Sequence, residues 1–356
     1  MLCLKARLGK EKVGTNASIS LSCFYLCILF CLPQFYCLPA YLSYNHTITI
    51  TQPNTPYKGG EGKGGDDSGG GWRHLEWEDL EISEKIGGGG VGIIYNGWFG
   101  EQPVAIKTLM DSRVDEALKQ EYLDELLVMS KLKHSNIVDF IGACMKPPNF
   151  CFVMELCETS LFSMLHKNAV EFSTYESTQI ALDVASAMEY LHAQSPPIVH
   201  RDIKSHNVLK SYNGSFKLCD FGLVKNKNAT AGTPCYMAPE LLSNKYFNKS
   251  VDVYSFGILV CEIFDGKLPF HMVGVSDIVT RVLDGERPPV PTTAAGCPER
   301  TQRLIERCWS QIPEDRPDFS QVVDELIAIA DETPQTKYSE QHASSSVDAL
   351  DQLFHK

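Results

Sequence analysis

Two acids and an amide stand close together in the middle of the chain. They lie in His200-Arg201-Asp202-Ile203-Lys204-Ser205-His206-Asn207 and, thirteen residues past Asn207, in Asp220-Phe221-Gly222. Such groups repel at close range unless a cation or a substrate hydroxyl occupies the space between them. So few oxygen ligands suit Mg²⁺, which keeps part of its water shell and takes its remaining ligands from phosphate. Upstream, Gly87, Gly89 and Gly92 stand at G-x-G-x-x-G spacing in Ile86-Gly87-Gly88-Gly89-Gly90-Val91-Gly92-Ile93-Ile94. Without Cβ atoms, backbone N–H groups there can fold over a polyphosphate. A dinucleotide-binding turn would run straight into a helix, whereas Ile93, Ile94 and Tyr95 lead on to Trp98 and Phe99 as a strand. Taken alone, the segment is as well explained by an ordinary glycine-rich hairpin.

Val104-Ala105-Ile106-Lys107 follows, a strand pattern with an inward lysine. A lone strand lysine is usually a solvated edge residue, but next to a glycine loop its ammonium can neutralise phosphate oxygens. A charge in such a pocket needs an anionic partner. The helical stretch between these strands offers Glu125, with Glu121 and Asp124 as water-facing alternatives.

The elements that must hold these groups change character along the chain. Residues 80–86, 93–99, 103–109, 137–144 and 150–156 read as strands, interrupted by a helix over 116–133. Beyond Thr159 the pattern is mostly helical, at 160–166, 175–193, 251–264, 275–284, 299–311 and 319–330. Strands followed by helices predict an α+β, two-lobed architecture.

In order and spacing these motifs, with Ala238-Pro239-Glu240, Asp252-Val253-Tyr254-Ser255-Phe256-Gly257 and Arg316 downstream, resemble the protein-kinase set. The resemblance covers about residues 80–331. Gly232-Thr233 with Tyr236-Met237-Ala238-Pro239-Glu240, and Cys308-Trp309-Ser310 with Arg316-Pro317, are similar to the tyrosine-kinase-like group of Ser/Thr kinases. The family implies a two-lobed fold, a β-rich N-lobe with one helix and a mainly helical C-lobe. It implies ATP with two Mg²⁺ ions and protein substrates. Carried over by position, Gly87, Gly89 and Gly92 cover the phosphates, and Lys107, paired with Glu125, holds the α- and β-phosphates. Ile86, Ile94, Ala105 and Leu209 enclose adenine, Met154 is the gatekeeper, and the backbone from Glu155 to Cys157 bonds its edge. Asp202 accepts or orients the substrate hydroxyl, Lys204 steadies the γ-phosphate, and Asn207 and Asp220 hold the metal ions. Lys204-Ser205 and the Gly232-Thr233-Pro234 segment resemble Ser/Thr rather than Tyr kinases. A dual-specificity enzyme and a weakly catalytic ATP-binding scaffold are the rival readings. Thr230 and Thr233 are candidate acceptors for an upstream kinase, with Arg201 as the cation for a phosphate. Cys219 reads as a packed thiol, or as a reactive one beside the nucleotide.

The chain has 356 residues, 44% of them hydrophobic and 21% charged, which excludes wholesale disorder. A net charge of −12 lacks the positive field that nonspecific nucleic-acid binding needs. Thirteen cysteines without a zinc-like spacing suit a reducing compartment. Residues 19–32 carry no charge and follow a basic stretch; with the apolar residues up to 44 they suggest a membrane anchor, a signal, or a segment without targeting role. Residues 51–73 read as a glycine-rich linker and 332–356 as a flexible tail. The domain plan is thus an apolar segment at 1–50, the linker, a folded unit at 80–331 and the tail, with the folded unit in the cytoplasm.

Overall fold

The computed structural model describes residues 72–88, 92–109, 116–146, 149–224 and 232–335. The expectations placed on residues 1–71, on Gly89, on Thr230 and on the tail beyond residue 335 lie outside the described residues.

Five antiparallel strands form the first sheet, in the order β1-β2-β3-β5-β4. They are β1 (Leu80–Gly88), β2 (Gly92–Phe99), β3 (Gln102–Leu109), β4 (Phe140–Lys146) and β5 (Asn149–Glu155). The register sets Gly87 opposite Ile94, and Ile94 opposite Lys107, so the three stand in one row across closely packed β1, β2 and β3. Gly97 permits this close approach, because a Cβ there would run into Glu81 O and stand 2.7 Å from Ile106 Cδ1. Helix α1 (Glu116–Met129) presents Tyr122, Glu125, Leu126 and Met129 along one face, the helical period that buries a stripe. The Tyr122 hydroxyl donates to Lys107 O at 2.7 Å and its ring packs on Phe152, which fixes the helix behind β3 and β5.

The sequence predicts a strand from residue 137, but β4 begins at Phe140. Ile137 and Val138 are drawn instead to the second sheet, where Ile137 bridges Leu218 and Val138 N donates to Leu218 O at 3.0 Å. That sheet joins β6 (Thr159–Ser160), β7 (Val208–Lys210) and β8 (Phe216–Leu218). Here the helix expected from residue 160 gives way to strand pairing with β7, followed by a π-helical turn over Ser163–Lys167 whose first N–H donates to Ser160 Oγ at 3.1 Å.

The remaining core is helical. It comprises α2 (Thr174–His192), α3 (Pro239–Leu242), α4 (Ser250–Asp265), α5 (Val275–Leu283), α6 (Glu299–Cys308) and α7 (Phe319–Glu332). A capping box of Ser173 and Glu176 starts α2. Helix α4 is buried on every side from Val251 to Phe264, as its mostly apolar sequence requires of a central helix, and ends at Gly266 in the left-handed region. Gly257 lets α6 pack against it, since a Cβ there would stand 2.8 Å from Cys308 Cβ. All eight cysteines among the described residues are free thiols. No helix among these residues is long and apolar enough to cross a membrane.

Candidate active site

A cleft of about 950 Å³ opens beside the first sheet and above the second. Ile86, Gly87, Gly92, Ile94 and Ala105 line its sheet side, and Leu209 lies on β7 opposite. Met154, Glu155, Leu156 and Cys157 line the connecting edge. Glu155 is held in place by Lys217 Nζ at 2.5 Å and by Asp139 N at 2.8 Å.

Lys107 Nζ donates to both oxygens of Glu125, at 2.5 and 2.6 Å, with the side chains only 13% and 5% exposed. Asp124 does not take that place; it accepts from Gln120 on its own helix. Burial would lower the Lys107 pKa, but the carboxylates of Glu125 and Asp220 outweigh it and hold the ammonium above its ordinary value. The same burial pushes the Glu125 carboxyl up against the pull of Lys107. A contact this short between groups this enclosed is an ion pair, because either charge alone would be stranded without solvent.

The loop carrying Asp202 is suspended from α4. Buried Asp252 accepts from His200 N at 2.9 Å, Arg201 N at 2.7 Å and His192 Nε2 at 2.8 Å. This grip holds Arg201 at φ 69°, where an L-residue is strained, and turns Asp202 towards the cleft. Four polar side chains then converge. Lys204 Nζ donates to Asp202 Oδ2 at 2.6 Å and to Thr233 Oγ1 at 3.0 Å, while Thr233 Oγ1 reaches Asp202 Oδ1 at 3.3 Å. Asn207 Nδ2 donates to Asp202 O at 2.8 Å and Oδ2 at 3.0 Å.

Asp220, at φ 65°, faces the same space and accepts from Gly222 N at 3.3 Å. Enclosure raises its carboxyl pKa, but Lys107, His200, the Gly222 N–H and Lys204 together bring it below the ordinary value. Because Asn207 spends its amide nitrogen on Asp202, its amide oxygen is left as an electron-pair donor. An ionised Asp220 and that oxygen fit a hard cation that draws its other ligands from water and phosphate. No group of three or more His, Cys, Asp or Glu side chains among the described residues forms a closed metal cage.

Burial pushes the Cys157 thiol up to about 12 and that of Cys219 well above its ordinary value, so neither is a thiolate at neutral pH. His206, whose ring stacks on Phe162 at 3.6 Å, is pushed down to about 4 by burial and by the positive charges of Lys204 and His166.

The family model for protein tyrosine and serine/threonine kinases matches residues 80–326. The chain belongs to that family. Kinases of this family use ATP and Mg²⁺ and act on proteins. This one is 35% identical over 281 residues to the serine/threonine-protein kinase STY46 of Arabidopsis thaliana, covering 77% of this chain and 48% of that protein. It is 37% identical over 268 residues to the Arabidopsis serine/threonine-protein kinase CTR1, covering 71% of this chain and 32% of the relative. It is 38% identical over 261 residues to the dual specificity protein kinase shkC of Dictyostelium discoideum, covering 70% and 51%. The kinase thus spans about half, or less, of the length of these relatives.

Of the residues singled out in the sequence, Lys107, Glu125, Asp202, Lys204, Asn207 and Asp220 all line this one kinase cleft. Sequence reasoning quoted Asp252 without a task for it. It also passed over Glu262, which accepts from His166 Nε2, Ser205 Oγ and Tyr236 OH, each at 2.7 Å. A carboxylic acid inside an apolar helical run, as Glu262 is in Ile258–Ile263, was the available signal, because such a charge has to find partners.

Proposed function

We propose that this kinase transfers the γ-phosphoryl group of ATP to serine and threonine hydroxyls of proteins. The observation that carries the reading is the triangle of Asp202, Lys204 and Thr233, a loop threonine reaching both the acid and the lysine. Its names for relatives, STY46 and CTR1 as serine/threonine-protein kinases, point the same way.

Each residue then has a distinct electrostatic task, since phosphoryl transfer is mainly positioning and charge neutralisation. Lys107, kept in place by Glu125, holds the α- and β-phosphates beneath Gly87, Gly89 and Gly92. Ile86, Ile94, Ala105 and Leu209 enclose adenine, with the backbone from Glu155 to Cys157 at its edge. Asp202 orients the acceptor hydroxyl and takes its proton, Lys204 steadies the transferred group, and Thr233 locks the two together. Asn207 and Asp220 hold two magnesium ions. Bound there, Mg²⁺ supplies neutralisation of the charge on the phosphate oxygens.

The test is labelling with γ-³²P-ATP on a generic protein substrate, followed by phosphoamino-acid analysis. Label on serine and threonine, lost by about 10³-fold in Asp202→Asn, is expected. Label on tyrosine alone, or none despite bound nucleotide, overturns the reading. A dual-specificity activity, suggested by the printed name of shkC, would appear as label on all three.

The kinase domain occupies residues 80–331, in the cytoplasm, between the apolar segment 1–50 with its 51–73 linker and the tail 332–356. Membrane association runs through residues 19–44, and retention of the chain on carbonate-washed membranes is its test. Phosphorylation of Thr230 by an upstream kinase, paired with Arg201, raises activity; Thr230→Ala lowers it, and full activity of a phosphate-free preparation removes the idea.

A further inference from the structure

A second cavity, of about 250 Å³, opens where the end of α4 meets the loops on either side of α5. It shares no lining residue with the active-site cleft, and phosphoryl transfer leaves it without a task. Small-molecule sites run to roughly 300–1,000 Å³, so this one suits a few side chains rather than a cofactor. Leu268, Phe270, Met272, Pro288 and Pro289 form its apolar walls, with Cys261 and Glu262 from α4. Leu268 is 41% and Met272 86% exposed. A single exposed apolar side chain needs no explanation, but two that line one cavity mark a binding surface. The ionised wall groups already have partners. Glu262 is held by His166, Ser205 and Tyr236, Lys267 pairs with Asp265, and Arg281 with Glu286. Arg287 donates to Trp309 O at 3.0 Å, and the Cys261 thiol to Pro289 O at 3.5 Å. What these walls lack is an apolar guest.

The chain itself contains one. Past residue 332 the large aliphatic residues are Val347, Leu350 and Leu353, followed by Phe354. Their spacing of three and four is the one that gathers side chains on one helix face. Residues 336–346 before them are polar apart from Tyr338 and Ala343, as suits a tether. Glu332, the last residue of α7, pairs with Arg300 at 2.8 Å. Arg300 is eleven residues from Pro289 in the cavity wall, at most about 40 Å even along an extended chain. The eighteen residues from Glu332 to Leu350 span up to about 60 Å, so the tether covers that separation. A tether of this length holds its end at a local concentration on the order of millimolar, enough to seat a guest of only about 0.1 mM affinity.

We propose that residues 347–354 dock in this cavity of their own chain, with Leu353 and Phe354 seated between Leu268, Phe270 and Met272. The unbranched, adaptable side chain of Met272 suits it to close over such a guest. The inference goes beyond the kinase reading and does not depend on it.

The test uses the full chain, an amine-reactive crosslinker and mass spectrometry. Lys267 lines the cavity with a side chain 57% exposed, and Lys356 stands two residues past Phe354. A Lys267–Lys356 crosslink within one molecule is expected. Leu353→Asp combined with Phe354→Asp and, independently, Met272→Asp should each lower its yield about tenfold. Met272 is too exposed for its replacement to endanger the fold. Hydrogen exchange over residues 268–273 should quicken in the same variants. Mixing chains of light and heavy isotope separates the occupants. A crosslink found only between copies means that a second molecule fills the cavity, and it overturns the proposal. So does the absence of that crosslink, or a yield and exchange unchanged in both variants. None of these readouts uses turnover, so each failure leaves the kinase reading untouched.

Discussion

Lys107 and Glu125 sit where neither can change without exposing the other to a solvent-poor wall. Lys107→Met leaves a buried carboxylate unpaired, so the variant should lose about 3 kcal/mol in urea unfolding as well as its activity. Glu125→Gln keeps a neutral acceptor and should cost less. Thr233→Ala removes contacts to both Lys204 and Asp202 and should lower kcat by about tenfold, with Thr233→Ser restoring most of it, in steady-state assays. Cys157 and Cys219 line the cleft, but their raised pKa values leave them protonated, and iodoacetamide at neutral pH should alkylate them only after unfolding. His206 titrates near 4 in the folded chain against an ordinary 6.5, so acid is bound more readily by the unfolded chain. Its contribution to stability is therefore present above the ordinary value and is lost as pH falls through the folded one. Urea unfolding at neutral and mildly acidic pH should show a weaker acid decline in His206→Gln than in the parent chain.

At the scale of elements, the hydrophobic period announced the strands around Lys107 and the helix carrying Glu125, because those side chains alternate or repeat over enough residues to be read. The three-residue strands β7 and β8 are too short to carry a period, and so the pull of Leu218 on Ile137 and Val138 was invisible. The π-helical turn escaped for a related reason: five residues of SMLHK fit helix and turn alike, and pairing of Thr159–Ser160 with β7 decides between them. Nor could spacing reveal that Asp252 grips His200 and Arg201, since it lies fifty residues further along. Asp252→Ala should free a strained turn, lowering kcat by far more than nucleotide affinity, which separates loop positioning from binding. Arg316 pairs with Glu240 through two hydrogen bonds of 2.6 and 2.9 Å in the core. Arg316→Ala should destabilise by about 3–5 kcal/mol, read as a fall in midpoint during chemical unfolding.

For the molecule as a whole, the cleft is bounded by the first sheet on one side and by β7 with the Asp202 loop on the other. A nucleotide that touches both sides binds only the folded chain. At about one hundred times its dissociation constant, magnesium-ATP should add roughly 2.7 kcal/mol of stability. Chelation of the metal should remove most of that gain, as read by thermal melting.

Glu262 shows how such distant pieces stay in step. It reaches the turn bearing His166, the loop bearing Ser205 and, through Tyr236, the segment that follows Thr233. A rearrangement of any one of the three strips a partner from an acid that has no water to turn to. The π-helical turn, the loop that carries Asp202 and Ser205, and the segment after Thr233 are thereby tied to a single mooring. A signal that pulls on one line will be felt on the other two.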